Sequence, residues 1–473
     1  MKLNLRILTA LACLAVAACE SRPPLVTMPA KREPHVLFTR ASVLDVATGH
    51  MNAGVDVLIS GDRIVAIGAQ GSVTAPEGTR RIDASGATLL PGLIDSHGHV
   101  GNSSAPPWAN EFPDPDRNLQ SYLYCGVTTV LDPADLASEA YDRRDDVAAG
   151  KLLGPAIFTA GPMLTADGGH PVPVIDSLAP WWIRWYVRGQ AVRQIDSPER
   201  AREAVAELHG ESTDFIKVAV DSIPDGAPRI RRELLGAIVD EAHRRGLRAV
   251  AHIGTLADAI DAGESGIDAY MHMIYKDVLS PADVARVAAF KIPMVATMGV
   301  FENYALVGQR TREPSALEVE TVAPEILAAF EAVPADGVPA IFRQYFDKLR
   351  TQRRQWRDNI RALREAGVTI LAGSDTQSGV FPGPGLHREM ALLIETGMTP
   401  ADVIRAATLD AARFLQKSED PDFGIVAPGK RADLLLVEGN PSFQIAALSR
   451  IRAVMKGGVV LERHAVARAP AAN

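Results

Sequence analysis

From His35 to Leu90, short apolar runs alternate with turn residues, as in "VLFTRASVLDVATG", "VDVLISGDRIVAIGA" and "GTRRIDASGATLL". Alternation at so short a period predicts antiparallel β-strands, and Gly61-Asp62 between two of them predicts a hairpin. Beyond residue 91 the pattern changes. Short buried runs such as "GVTTVLD" (126–132), "FIKVAV" (215–220), "LRAVAHI" (247–253) and "GVTILAGSD" (367–375) are separated by amphipathic stretches such as "ERAREAVAELH" (199–209) and "RRELLGAIVDEAHRRG" (231–246). Strands alternating with helices over about 300 residues predict an α/β fold with a parallel sheet, and that length suits a (β/α)8 TIM barrel over residues 91–415. An open doubly wound sheet is the alternative. After the helix "PADVIRAATLDAARFL" (400–415) β-rich text returns. The two ends, 35–90 and 416–463, are therefore expected to pair into one small β-sandwich, with 464–473 as a tail.

The first residues stand outside this pattern. Lys2 and Arg6 precede an apolar segment, Ile7 to Val16, and small residues lead to Cys19, the order of parts in a signal peptide. "VAAC" (16–19) resembles a bacterial lipobox, in which the cysteine becomes the lipidated first residue of the mature chain. The expectation is a lipoprotein-type signal over 1–19, export to the periplasm and a lipid anchor on Cys19; a cleaved signal with an incidental cysteine is the alternative. Residues 20–34, "ESRPPLVTMPAKREP", are polar and Pro-rich, as in a tether. No later apolar run approaches the roughly 20 residues a spanning helix needs. With Cys13 lost and Cys19 lipidated, Cys125 has no partner for an intrachain disulfide.

A 473-residue chain that is 47% hydrophobic can bury a large core, and a net charge of -8 without any Lys/Arg block excludes a nucleic-acid binder. Two segments exceed ordinary connections. "DSLAPWWIRWYVRGQAVRQIDSP" (176–198) holds three of the five tryptophans, and residues 301–360 are Arg-rich and mostly helical. Long insertions often act as lids. The tryptophans either pack the insertion onto the barrel or face the substrate, with membrane contact as a third reading.

In a barrel of this kind functional residues sit at the C-terminal ends of strands, and the last polar residues there form a series. "LLPGLIDSHGHV" ends in His97 and His99, "FIKV" carries Lys217, "VAHI" gives His252, "AYMHM" gives His272 and "LAGSD" gives Asp375. Alternate strand residues share a face, so His97 and His99 can grip one ion, and His252, His272 and Asp375 complete a mixed N/O ligand set. Lys217 is the odd member, because a lysine inside an apolar strand tends to lose its charge.

These residues resemble the amidohydrolase superfamily, in particular its binuclear-metal branch of imidazolonepropionase-like proteins and prolidase-like dipeptidases. The resemblance spans residues 36–463 and rests on "PGLIDSHGH", "DFIKV", "AHIGTLADAIDAGESGIDAYMH", "LAGSDT", "HREMALLIETGMTPADVIRAATLDAARFL" and "GIVAPGKRADLLLVEGNP". It implies two divalent metal ions, zinc first with manganese, iron or cobalt as alternatives. His97, His99 and Asp375 would hold one and His252 and His272 the other, with a CO2-derived carbamate on Lys217 bridging them. His170, in "TADGGH", would face the substrate as a donor to the oxyanion or to a carboxylate. The chain departs from its relatives at Met271, where an acidic residue is common, and at Gly254, where many carry an aromatic or polar side chain. His387 is read as structural.

The reaction implied is hydrolysis of an amide C–N bond by a hydroxide shared between the cations, with Asp375 as general base and then acid. Export and the Arg-rich insertion favour a small-molecule substrate with a free carboxylate, such as a dipeptide or N-acyl amino acid. A cyclic amide or lactone hydrolase is the alternative within enzymes. A catalytically silent barrel serving as a binding module is the alternative outside them. A homo-oligomer stays open.

Overall fold

Two parallel sheets build the body of the protein. The computed structural model describes residues 22–109, 111–307, 312–334, 338 and 340–466; the expected signal segment, Cys19 and the end of the tail lie outside them. Seven strands run parallel in the spatial order Val192–Ile195, Met163–Ala166, Phe215–Ala219, Arg248–His252, Ala269–Met271, Met294–Val295 and Ile370–Leu371. Three more, Leu93–Asp95, Val127–Asp132 and Ala156–Thr159, form the second parallel sheet. Backbone bonds join the two: Asp214 N–H donates to Thr159 O at 2.9 Å, and Ser96 N–H donates to Ala372 O at 3.0 Å. The fold is mixed α/β, as the alternation of strand and helix patterns predicts.

Period-two alternation explains the packing. Ile94, Leu131, Phe158, Phe215, Val250, Met271, Val295 and Leu371, drawn from eight different strands, meet in one apolar cluster. Ala411, Ala412 and Leu415 of helix Leu409–Gln416, together with Phe423, complete that cluster. Their strand neighbours, among them Ile216, Val218, Ala251, Tyr270 and Met294, belong instead to the large core shared with the helices. Those helices start where the sequence provides caps: Thr255 with Asp258, Ser280-Pro281 with Asp283, and Thr399-Pro400 with Asp402 each form a capping box. Each such cap contributes about 1 kcal/mol.

The chain ends meet in a third sheet of eight strands. Ala87–Pro91 lies antiparallel to Leu434–Glu438 and parallel to His35–Leu44, so residues from both termini are neighbours. Leu434 and Leu436 face a small core with Val36, Phe38 and Leu89, whereas Leu435 and Val437 face the main core. The Gly61-Asp62 turn joins Met51–Ser60 to Arg63–Ala69 as a two-residue hairpin, with Gly61 at φ 59°.

The described part of the expected tether is not a free linker. Val26–Thr27 pairs antiparallel with Glu462–Arg463, and Leu25 and Val26 are buried in the main core. Two apolar residues sufficed to dock a segment whose composition is otherwise polar. The last third of the Arg-rich insertion lies in the helix Ala340–Glu365. It is fastened to the loop after Ala269–Met271 by Trp356 and Gln355, which donate to Tyr275 O, and by Asn359, which donates to Ile274 O.

Candidate metal centre

Five of the six expected metal-binding side chains lie at or beyond the C-terminal ends of the parallel strands, and the sixth, Lys217, lies within one. His97 and His99 follow Leu93–Asp95, Lys217 lies in Phe215–Ala219, His252 ends Arg248–His252, His272 follows Ala269–Met271 and Asp375 follows Ile370–Leu371. Asp375 N–H donates to His97 O at 2.6 Å, which ties the first and last of these segments together. His272 (φ 87°), Thr297 (φ 50°) and Asp375 (φ 54°) sit in the left-handed region, where non-glycine residues carry strain that tends to collect at functional sites. They lie one, two and four residues beyond the ends of Ala269–Met271, Met294–Val295 and Ile370–Leu371 respectively.

The geometry converges on Asp375. Its Oδ1 lies 3.1 Å from His99 Nε2 and 3.6 Å from His97 Nε2, and its Oδ2 lies 3.7 Å from His272 Nδ1. Ligand atoms of His97, His272 and Asp375 all lie within 4.8 Å of one another. His252 packs on His272 with ring centroids 4.1 Å apart, and His170 on His252 at 4.9 Å. Other contacts fix the rings. His99 Nδ1 donates to the Ala134 carbonyl at 3.0 Å and His272 Nδ1 bonds the Thr297 hydroxyl at 2.7 Å. Such outer contacts orient metal-binding imidazoles and set their tautomers.

Electrostatics agree with a cation site. Burial, reinforced by Lys217 and the neighbouring rings, pushes His97, His252 and His272 well below the usual imidazole range. Neutral imidazoles are the form that binds metal. His170 is lowered to about 3 by burial and His252. Burial also works against a charge on His99, but hydrogen bonds and charge from Asp132 and Asp375 lift it to about 10, marking the place where a positive charge is best received. Burial lowers Lys217 to about 7, an amine able to be neutral at physiological pH. His97 Nδ1 and His252 Nε2 are buried and without a hydrogen-bond partner. Orphaned ring nitrogens in a set of neutral imidazoles around a carboxylate fit divalent metal ions with N/O preference.

Several contributors were not in the expected set. Asp132 accepts from Val100 N–H at 2.9 Å and lies 3.5 Å from His99 Nδ1. It ends the strand "VTTVLD", so the strand-end rule that found Asp375 could have found it. Asp95 accepts from Ser374 N–H and Ser374 Oγ, and burial raises it to about 7 despite those bonds. His387 instead has Nε2 against Cys125 O, in keeping with a structural part.

The model of the amidohydrolase family matches residues 88–461. The chain belongs to the amidohydrolase family. Among its relatives is the ochratoxinase of Aspergillus niger, 26% identical over 92% of this chain and 91% of that protein. Adenine deaminase 3 of Rhizobium meliloti is 25% identical over 88% of this chain and 57% of its own length. A solved prolidase complexed with N-methylphosphonate-L-proline has a TM-score of 0.71 at 24% identity, covering 91% of this chain and all of that one.

Both departures of this amidohydrolase have structural reasons. Met271 joins the apolar cluster beneath the site. Gly254 leaves the space into which Asp221 fits: a side-chain carbon there would lie 2.5 Å from Asp221 Cγ. Asp221 is buried, accepts from Tyr275 OH at 2.6 Å and Lys276 Nζ at 2.8 Å, and approaches His252 Nε2 to 3.7 Å. The insertion's arginines are largely engaged with the protein itself. Arg350 donates to Ala305 O and Val307 O, Arg353 pairs with Glu302, and Arg357 with Glu395. The expectation of a carboxylate-bearing substrate therefore draws no support from them.

Proposed function

We propose that this amidohydrolase is a binuclear metal enzyme that hydrolyses the amide bond of a dipeptide or N-acyl amino acid. The observation that carries this reading is the convergence of four imidazoles, three of them held neutral by burial, with one carboxylate and a buried, weakly basic lysine. His97, His99 and Asp375 would hold one cation, His252 and His272 the other, and Lys217, carboxylated by CO2, would bridge them. The cations, with zinc first among candidates, would supply Lewis acidity toward the scissile carbonyl and lower the pKa of water.

The chain's own groups do the rest. Asp375 takes the proton of the attacking water and returns it to the leaving nitrogen, so that one water and one amide become an acid and an amine. His170, neutral beside His252, donates its N–H to the carbonyl oxygen as charge develops there. The dipeptidase reading takes up the prolidase relative and its proline-like ligand. We further read the joined parallel strands as a closed (β/α)8 barrel over 91–415 and the sheet of both ends (35–90, 416–463) as a β-sandwich. The leader is read as the signal of a periplasmic lipoprotein anchored through Cys19.

The test uses protein lacking residues 1–19, loaded with zinc or manganese in bicarbonate and assayed for amine release across dipeptides and N-acyl amino acids. Two metal equivalents, falling in Lys217→Ala, and hits grouped by one C-terminal residue are expected. One equivalent in both proteins overturns the binuclear reading. Silence across the library, with two metals bound, moves the substrate to cyclic amides or lactones.

A further inference from the structure

Trp181, Trp182 and Trp185 are 80%, 61% and 74% exposed, and Leu178 and Tyr186 beside them are exposed as well. Isolated apolar side chains on a surface are ordinary, but five from one nine-residue segment form a patch that calls for a partner. The segment is held in shape. Gln190 accepts from Ser138 N–H at 3.0 Å, Arg188 Nε donates to Asp176 at 2.7 Å, and Arg184 donates to Ala179 O at 2.9 Å. Helix Arg184–Ala191 nevertheless buries none of its residues. The aromatic rings are presented outward by a rigid support.

We propose that this patch seats the protein on a phospholipid bilayer, with the indole rings at the level of the headgroups. Trp and Tyr are the side chains that prefer that depth, because each joins an apolar body to a polar N–H or O–H. A second copy of the chain is the weaker fit, since stable protein interfaces engage roughly 20–30 residues a side and this patch offers five apolar ones. The place of the patch agrees. It follows the C-terminal end of Met163–Ala166, on the rim that carries the candidate ligands. Arg22, where the described chain begins, pairs with Glu111 at 2.8 Å, next to Phe112, which is 89% exposed on the connection after Leu93–Asp95. Arg22, three residues after the proposed lipid site Cys19, thus stands at the same rim. Lipid contact there turns the mouth of the site toward the membrane, whatever the substrate.

The test is flotation of residues 22–473 with vesicles of phosphatidylethanolamine and phosphatidylglycerol, alongside the variant Trp181→Ser, Trp182→Ser, Trp185→Ser. The unmodified protein is expected to rise with the vesicles and to show a blue shift of tryptophan fluorescence. The variant is expected to lose partitioning by about tenfold or more, because binding follows the apolar area inserted. Circular dichroism and the melting temperature should stay unchanged, since all three positions are exposed. The proposal falls if the unmodified protein stays with the buffer, or if the variant floats equally. It also falls if the variant merely lowers the oligomeric state in light scattering while vesicles bind neither protein. Vesicle binding is read without substrate, so a failed activity assay leaves this test standing.

Discussion

Gly254→Ala isolates one local packing constraint. The added methyl would lie 2.5 Å from Asp221 Cγ and 2.7 Å from its Oδ1, well inside contact distance. A carboxylate at the end of a free side chain could swing away, but this one is buried and held by Tyr275 OH and Lys276 Nζ. Hydrogen bonds involving a charged group are worth about 1.5–3 kcal/mol each, and breaking a buried ion pair costs about 3–5 kcal/mol. Lys276 keeps Ser222 O as an acceptor, which moderates the loss. A destabilisation of about 3 kcal/mol is expected, large for a glycine-to-alanine change away from a left-handed turn. Guanidinium unfolding of Gly254→Ala, Asp221→Ala and the double variant gives the coupling. The double variant should be more stable than the sum of the singles by at least about 1 kcal/mol, because without the carboxylate the methyl has room. Additive losses, or a Gly254→Ala change below about 0.5 kcal/mol, would refute the reasoning.

Three further outcomes are expected. Asp375→Asn should retain much of the bound metal in elemental analysis yet lose turnover by several orders of magnitude; full activity would remove Asp375 from proton transfer. Thr297→Val deprives His272 Nδ1 of its partner and should weaken metal affinity by about 10–100-fold in chelator competition, whereas unchanged affinity would show that the ring is oriented by packing alone. Glu389 is fully buried and accepts from Gly299 N–H at 2.7 Å, and burial raises its carboxyl to about 8 from an ordinary 4.5. Between those values the folded chain holds a proton that the unfolded chain has released. The protonated carboxyl's contribution is therefore full below about 4.5 and lost as pH rises through about 8, up to about 5 kcal/mol in all. Glu389→Gln should flatten that part of the stability profile, and an unaltered slope would assign it elsewhere.

The strand-end histidines were legible because polar residues closing apolar runs are conspicuous in one dimension. The same logic, pursued further, reaches Asp132. It does not reach Thr297 or Glu389, whose parts depend on neighbours 25 and 90 positions away. Gly254 was visible as a departure, but its reason lay in Asp221, which only the folded chain brings alongside. Composition misled at the tether, where Leu25 and Val26 outweigh the prolines around them. The arginines of Ala340–Glu365 divide between pairs within the helix, such as Arg354 with Asp358, and partners such as Glu302 and Glu395 that the helix's own pattern does not reveal.

The sheet that joins the two ends has a consequence for the order of events during synthesis. Thr88 Oγ1 donates to Gly439 O across 351 positions, and Ala87–Pro91 gains its antiparallel partner only when Leu434–Glu438 has been made. One residue beyond that strand the chain enters Leu93–Asp95 and then His97. The platform behind the first candidate ligands is thus completed by a segment made long after them. Contacts of such long range form late and slowly. A nascent chain is consequently kept from finishing its candidate metal centre until Leu434–Glu438 has been made, and a truncation before Leu434 should leave His97 and His99 without the strand that braces them.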